Sequence, residues 1–256
     1  MNRTAQEKLD DLRDETLALG QKLIDSIPRS TKVLLEQDME GAEYQINSDD
    51  EYDARTISLE EASISLMALH APVASELRHA VVVMKMSGEL ERSADLVTNL
   101  CKVARRINGH PLDARLARLI SGMSDQAHLL MKQVLKAYAE KDSALAASVS
   151  EMDVHLDTLH KQFIQSIFEA HTDGTIDLAV AIEMAKTARF YERVGDHAVN
   201  IARLVQFMVT GTLPPAGDHH RDGRGDLTPI GDERPRATPR RFSSSSSHWW
   251  SVSWRE

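Results

Sequence analysis

Two stretches of this sequence carry carboxylates at a spacing that can do coordination chemistry. One is Glu192-Arg193-Val194-Gly195-Asp196-His197-Ala198-Val199-Asn200. The other, 101 residues earlier, is Glu91-Arg92-Ser93-Ala94-Asp95-Leu96-Val97-Thr98-Asn99. In both, Glu, Asp and Asn fall at i, i+4 and i+8, which at about 3.6 residues per turn puts them on one stripe of a helix. Two carboxylates a turn apart repel each other unless a positive charge sits on the edge they form. Two further acid pairs share the i, i+4 spacing, Asp49 with Asp53 and Asp153 with Asp157. If the helices bearing them pack antiparallel to the striped helices, Asp49, Asp53, Glu91 and Asp95 converge in the first half, and Asp153, Asp157, Glu192 and Asp196 in the second. An oxygen-only set of this kind suits a hard cation such as Fe(III), Mn, Mg or Ca, and Zn less well. For any one pair the competing reading is a solvated helix face neutralised by Arg92 or Lys102. Repetition of the whole constellation, Asn included, favours a site over a chance match.

Other candidate chemistry is thinner. Glu76-Leu77-Arg78-His79 has the Glu-x-x-His spacing of di-iron carboxylate bundles, so a helical-bundle di-metal carboxylate enzyme is the alternative class. That architecture needs the motif twice, and the second half reads Asp177-Leu178-Ala179-Val180 instead. His79 is therefore expected at the surface or its boundary. There is no Gly-rich phosphate loop, no Ser/His/Asp order and no catalytic cysteine context, so no catalytic residue is assigned. Cys101 is the only cysteine, which excludes an intramolecular disulfide and a thiolate cluster and suits a reducing compartment. Gly195, in mid-helix, costs about 1 kcal/mol relative to Ala. Its presence implies a close helix approach or room for a ligand, where the first copy has Ala94.

The elements that must hold these residues are helices. Of 256 residues, 42% are hydrophobic and only 5% aromatic, with Ala, Leu, Val and Met supplying most of the apolar mass. Apolar positions spaced by three and four predict six helices: Thr4 to about Leu35, Asp38 to His70, Pro72 to Ile107, Leu112 to Tyr138, Asp142 to His171 and Thr175 to Val209. Pro28 predicts a kink or short break in the first, and Pro72 the first position of the third. Glu36-Gln37-Asp38 recurs as Glu140-Lys141-Asp142, and Asp49 and Asp53 as Asp153 and Asp157, all at an offset of 104; His70 recurs as His171 at 101. The expected fold is thus all-α: two tandem three-helix repeats, residues 1–109 and 110–211, packed into one elongated body. Residues 212–256 hold five of the eight prolines, five consecutive serines and all three tryptophans without amphipathic period, and are expected to be a disordered tail.

The net charge is −9, and residues 1–211 alone carry −10, which argues against a nucleic-acid binder. No apolar run approaches the roughly 20 residues of a membrane span, and the N-terminus lacks a signal-peptide core, so a cytoplasmic location is expected.

Three segments together resemble the PhoU family, accessory regulators of bacterial phosphate-specific transport. They are Ala68-Leu69-His70-Ala71-Pro72-Val73-Ala74-Ser75-Glu76-Leu77-Arg78, Glu91-Arg92-Ser93-Ala94-Asp95, and Glu192 through Ile201. The resemblance spans residues 4–211 and leaves the tail outside. It implies tandem three-helix bundles, a homodimer, and metal ions on paired acid motifs, multinuclear iron first, with Mn, Mg or Zn as alternatives. Carried over by position, those motifs are Asp49/Asp53 with Glu91/Asp95, and Asp153/Asp157 with Glu192/Asp196. The first unit has Ser93-Ala94 where Ile-Gly is usual in the family. The resemblance further implies a non-enzymatic negative regulator of the phosphate-starvation response. Its partners would be the phosphate ABC transporter ATPase and a sensor histidine kinase, and it would meet the membrane only through them.

Overall fold

Thr4 opens the first helix with the reciprocal cap that its spacing to Glu7 encodes: the Thr4 hydroxyl accepts from the Glu7 amide, and the Glu7 carboxylate accepts from the Thr4 amide. The computed structural model describes residues 4–214, and the tail expected beyond them lies outside the described residues. Among the described residues there are seven helices and no strand: α1 Ala5–Glu36, α2 Met39–Asn47, α3 Asp49–His70, α4 Ser75–Arg106, α5 Ala114–Glu140, α6 Ser143–Thr172 and α7 Leu178–Thr210. The all-α expectation holds.

Three local expectations need correction. The helix expected from Asp38 to His70 is two helices that meet at Ser48. The Ser48 hydroxyl turns back onto the Gln45 carbonyl, and Asp49, Asp50 and Glu51 fill the first turn of α3, where carboxylates complement the positive end of the helix dipole. Pro28 does not break α1, which runs through it with the ring on the exposed side. Pro72 does not open α4. The chain first passes through Ala71 and Ala74, both with positive φ, and the helix begins at Ser75.

Short polar residues set the remaining starts. Asp38, Asp113, Asp142 and Asp177 each accept backbone amides from the turn that follows. The stops are left-handed: Gln37, Lys141 and Gly211 close α1, α5 and α7.

Residues up to Pro214 form one compact unit. Helices α1, α3 and α4 make one three-helix layer, with α2 folded over α4, and α5, α6 and α7 make the other. The layers meet through α4 and α7, which run antiparallel. Arg78 reaches the Met208 carbonyl at one end, Glu89 meets His197 near the middle, and Arg106 meets Glu183 at the other end. On the other side of the joint α1 lies on α5, where a β-carbon at Gly20 would come within 2.7 Å of Leu135 Cδ2. Inside the joint the Thr31 hydroxyl lies 2.8 Å from Ser124 Oγ and 2.7 Å from the Tyr191 hydroxyl, so α1, α5 and α7 share one satisfied polar cluster.

Candidate metal centre

The antiparallel register of α4 and α7 places Glu91 and Asp95 at the same level as Gly195 and Tyr191, so the two acid motifs lie level with each other along the joint. Each motif is met by the start or middle of the preceding helix of its own half.

In the first half, oxygen atoms of Asp53, Glu91 and Asp95 all lie within 4.8 Å of one another. Asp49 completes the group from the first turn of α3, with its Oδ1 accepting from the Thr98 hydroxyl at 3.1 Å. Burial pushes the Asp49 carboxyl above its ordinary range. Thr98 pulls against that, the charges of Asp95 and Asp53 add to it, and Lys102 opposes. Glu91 is raised as well, by burial first and then by Asp95 and Asp53, with Arg92 working the other way. These are carboxylates that feel one another, and burial with their mutual repulsion outweighs the opposing Lys102 and Arg92 charges.

In the second half one acid is buried more deeply, although the oxygens there do not converge as those of the first half do. Asp153 is 9% exposed, and its carboxyl is pushed up to about 7, by burial first and then by Asp157, Asp196 and Glu192. Glu192 is mostly covered and pairs with the half-exposed Arg189, one turn before it. Gly195 explains the burial. A β-carbon there would overlap the Asp153 carboxylate and come within 2.7 Å of Leu156 Cδ2, so only glycine lets α6 press this close to α7. In the first half Ala94 holds that place, and Asp49 stays half-exposed. The eight sequence-derived acids thus fall into two groups whose charges act on one another, and among the described residues only Asp53, Glu91 and Asp95 bring their oxygens within 4.8 Å. The donors are all carboxylate oxygens, a set that fits a hard cation and offers a soft one nothing.

Other candidates fall elsewhere. His79 is no surface residue: it is 8% exposed, with Nε2 3.0 Å from the Tyr138 hydroxyl and the two rings edge to face at 5.8 Å. Its side chain is spent on the core, so Glu76 and His79 form no second metal motif. Asn200, expected beside Glu192 and Asp196, donates instead to Glu89 Oε2 at 3.4 Å.

Glu89 and His197 escaped the sequence reading. His197 Nδ1 lies 2.6 Å from Glu89 Oε2, and Arg92 donates to the other oxygen at 2.7 Å. Burial raises the Glu89 carboxyl, but His197, Arg92 and Asn200 together outweigh it and leave it below its ordinary range. This pair clasps the two halves right beside both acid clusters. The internal repeat could not reveal it, because the positions equivalent to Glu89 and His197 are Phe190 and Leu96.

Against known proteins, the model of the PhoU domain matches twice, over residues 16–104 and 120–205. The chain belongs to the PhoU family. A PhoU homolog from Zymomonas mobilis, named as a phosphate-specific transport system accessory protein, is 29% identical over 84% of this chain and 91% of its own length. A Mycobacterium tuberculosis relative, PhoU homolog 2, is 30% identical over 74% of this chain and 88% of its own. The crystal structure of PhoU from Pseudomonas aeruginosa superposes with a TM-score of 0.76 at 25% identity, covering 81% of this chain and 99% of that one. The two PhoU matches each contain one full acid cluster. The relatives carry the names of accessory and regulatory proteins, not of enzymes.

Proposed function

We propose that this chain is a non-catalytic accessory regulator of phosphate-specific transport. In this reading its two carboxylate clusters hold hard metal ions, multinuclear iron first among them, and it links the phosphate ABC transporter ATPase to a sensor histidine kinase, working as a homodimer in the cytoplasm. The observation that carries the metal part is the convergence of Asp53, Glu91 and Asp95 oxygens within 4.8 Å, where burial and mutual repulsion outweigh the opposing charge of Arg92. Bound there, a metal would supply the missing positive charge, with Asp49, Asp53, Glu91 and Asp95 as its ligands in the first half and Asp153, Asp157, Glu192 and Asp196 in the second. The transport part rests on the family. The acids lie between packed helices rather than in a deep cleft with a general acid or base, which supports an adaptor over the di-metal enzyme. Among the described residues no helix is long and apolar enough to cross a membrane, so contact with the membrane would run through partners.

Deleting the gene in the source organism should switch on phosphate-starvation genes in phosphate-rich medium, and the transporter ATPase should co-purify with the tagged chain. Normal repression in the deletion strain, with no transporter or kinase component recovered, overturns the regulatory assignment.

A further inference from the structure

A polar cavity of about 100 Å³ lies where α1, the α2–α3 junction and α4 meet, beside the first acid cluster. Lys22 and Arg29 of α1, Gln45 of α2, Asp49 and Glu51 of α3 and Thr98 of α4 line it. Several of these groups satisfy one another. Lys22 Nζ pairs with Glu51 Oε2 at 3.0 Å, and Thr98 donates to Asp49. Donors remain: Lys22 Nζ has no hydrogen bond beyond its ion pair, and Gln45 and Arg29 have no protein acceptor. Gln45 is only 6% exposed, and its buried Nε2 has no hydrogen-bond partner. Arg29, at the mouth, makes no hydrogen bond or ion pair among the described residues.

A buried amide left unmet costs about 1–3 kcal/mol, so a native protein seldom keeps one without an acceptor to fill the space. The cavity has room for about three waters at ~30 Å³ each, or for one tetrahedral ion and a water. The guanidinium tips the choice. Arg29 and Gln45 add two donors to a lining that also holds the Asp49 and Glu51 carboxylates, and planar guanidinium groups bind oxyanions through two oxygens at once.

Asp49 refines the class. It presents a carboxylate to the same cavity, and a carboxylate repels a fully deprotonated anion but accepts a hydrogen bond from one that still carries a proton. We infer that this cavity binds a small protonated oxyanion, of which inorganic phosphate is the simplest, through the Gln45 amide and the Arg29 guanidinium, with Asp49 accepting the anion's O–H. The inference does not need the regulatory reading, but it shares Asp49 with the first metal cluster and is therefore drawn for the metal-free chain.

The test is calorimetric titration of the chelator-treated full chain with inorganic phosphate at fixed ionic strength near neutral pH. One saturable site per chain is expected, weakened at least tenfold in Gln45→Leu and in Arg29→Met. Arg29 is exposed, so its replacement leaves the fold intact even if the Gln45 variant fails to fold. Sulfate, which carries no proton at this pH, should fail to displace phosphate at equal concentration. Absence of saturable binding, meaning that waters alone fill the cavity, overturns the inference. So does unchanged affinity in Arg29→Met, and so does equal displacement by sulfate or chloride.

Discussion

The imidazole of His128 caps a carbonyl that a proline left bare. Pro28 has no amide hydrogen, so the Ile24 carbonyl, four residues before it in α1, loses its helical donor. His128 Nδ1, on α5, stands 3.2 Å from that oxygen. The two halves of the molecule therefore repair between them the defect that the first half carries alone. Replacing His128 by Phe should cost about 1–3 kcal/mol, the range for a buried acceptor left unmet. In a Pro28→Ala background the new amide can serve Ile24, and the same replacement should cost much less. Chemical denaturation of the four proteins measures the coupling. Equal costs in both backgrounds would show that His128 acts through packing alone.

This pair also marks what a sequence can and cannot disclose. Helical periodicity, caps such as Thr4 with Glu7, and the i, i+4 acid pairs are local, and they foretold without tertiary knowledge which segments are helical and which acids share a face. The continuity of α1 through Pro28 was not legible, because the compensating donor lies on another helix in the other half. The break at Ser48 was legible in principle, since Ser48-Asp49-Asp50-Glu51 spells a helix start, yet the cap bonds are not formed: Glu51 instead pairs with Lys22. The Glu89–His197 clasp had no signal, because the repeat it joins does not repeat it. Burial of His79 was hidden for the same kind of reason: its partner, Tyr138, comes from the other half.

Gly195 offers a direct contrast between the halves. In Gly195→Ala the new methyl group meets the Asp153 carboxylate and Leu156, so α6 must move away from α7. Overpacking of this kind typically costs about 1–3 kcal/mol. The reciprocal change, Ala94→Gly, adds no clash and should cost no more than about 1 kcal/mol of helix propensity. Thermal denaturation of both variants checks the asymmetry, and a Gly195→Ala protein as stable as the parent would mean that the close approach is not needed.

His79 should make stability depend on mild acid. Burial first, with the charges of Lys141 and Arg13 assisting, pushes its pKa down to about 4 in the folded protein, against an ordinary value near 6.5. Between those values the unfolded chain binds a proton that the folded chain refuses. The contribution is fully present above pH 6.5, is lost as pH falls from about 6.5 to about 4, and changes no further below that. The full difference is on the order of 3 kcal/mol. In His79→Phe the edge-on ring contact survives while the titrating group does not, so the fall in stability across this window should flatten. Urea melts at half-unit pH steps provide the comparison, and identical slopes for parent and variant would exclude His79 as the source.

The carboxylate clusters make opposite demands with and without metal, which allows a test that simple ion pairing cannot pass. Without a cation, Asp153 sits among Asp157, Asp196 and Glu192, and their mutual repulsion opposes folding. Glu192→Gln with Asp196→Asn removes two of the four charges, and where that relief exceeds the partners lost, Arg189 among them, the chelated variant is as stable as the chelated parent or more so. With a bound cation the order should reverse. A metal held only by the folded state adds about 2.7 kcal/mol at a hundredfold excess over its dissociation constant, and the variant cannot collect that gain in its second cluster. Elemental analysis of the purified proteins should show correspondingly less metal per chain in the variant, with the first cluster still loaded. A variant destabilised equally with and without metal, and unchanged in metal content, would mean that Glu192 and Asp196 are structural partners of neighbouring cations rather than ligands.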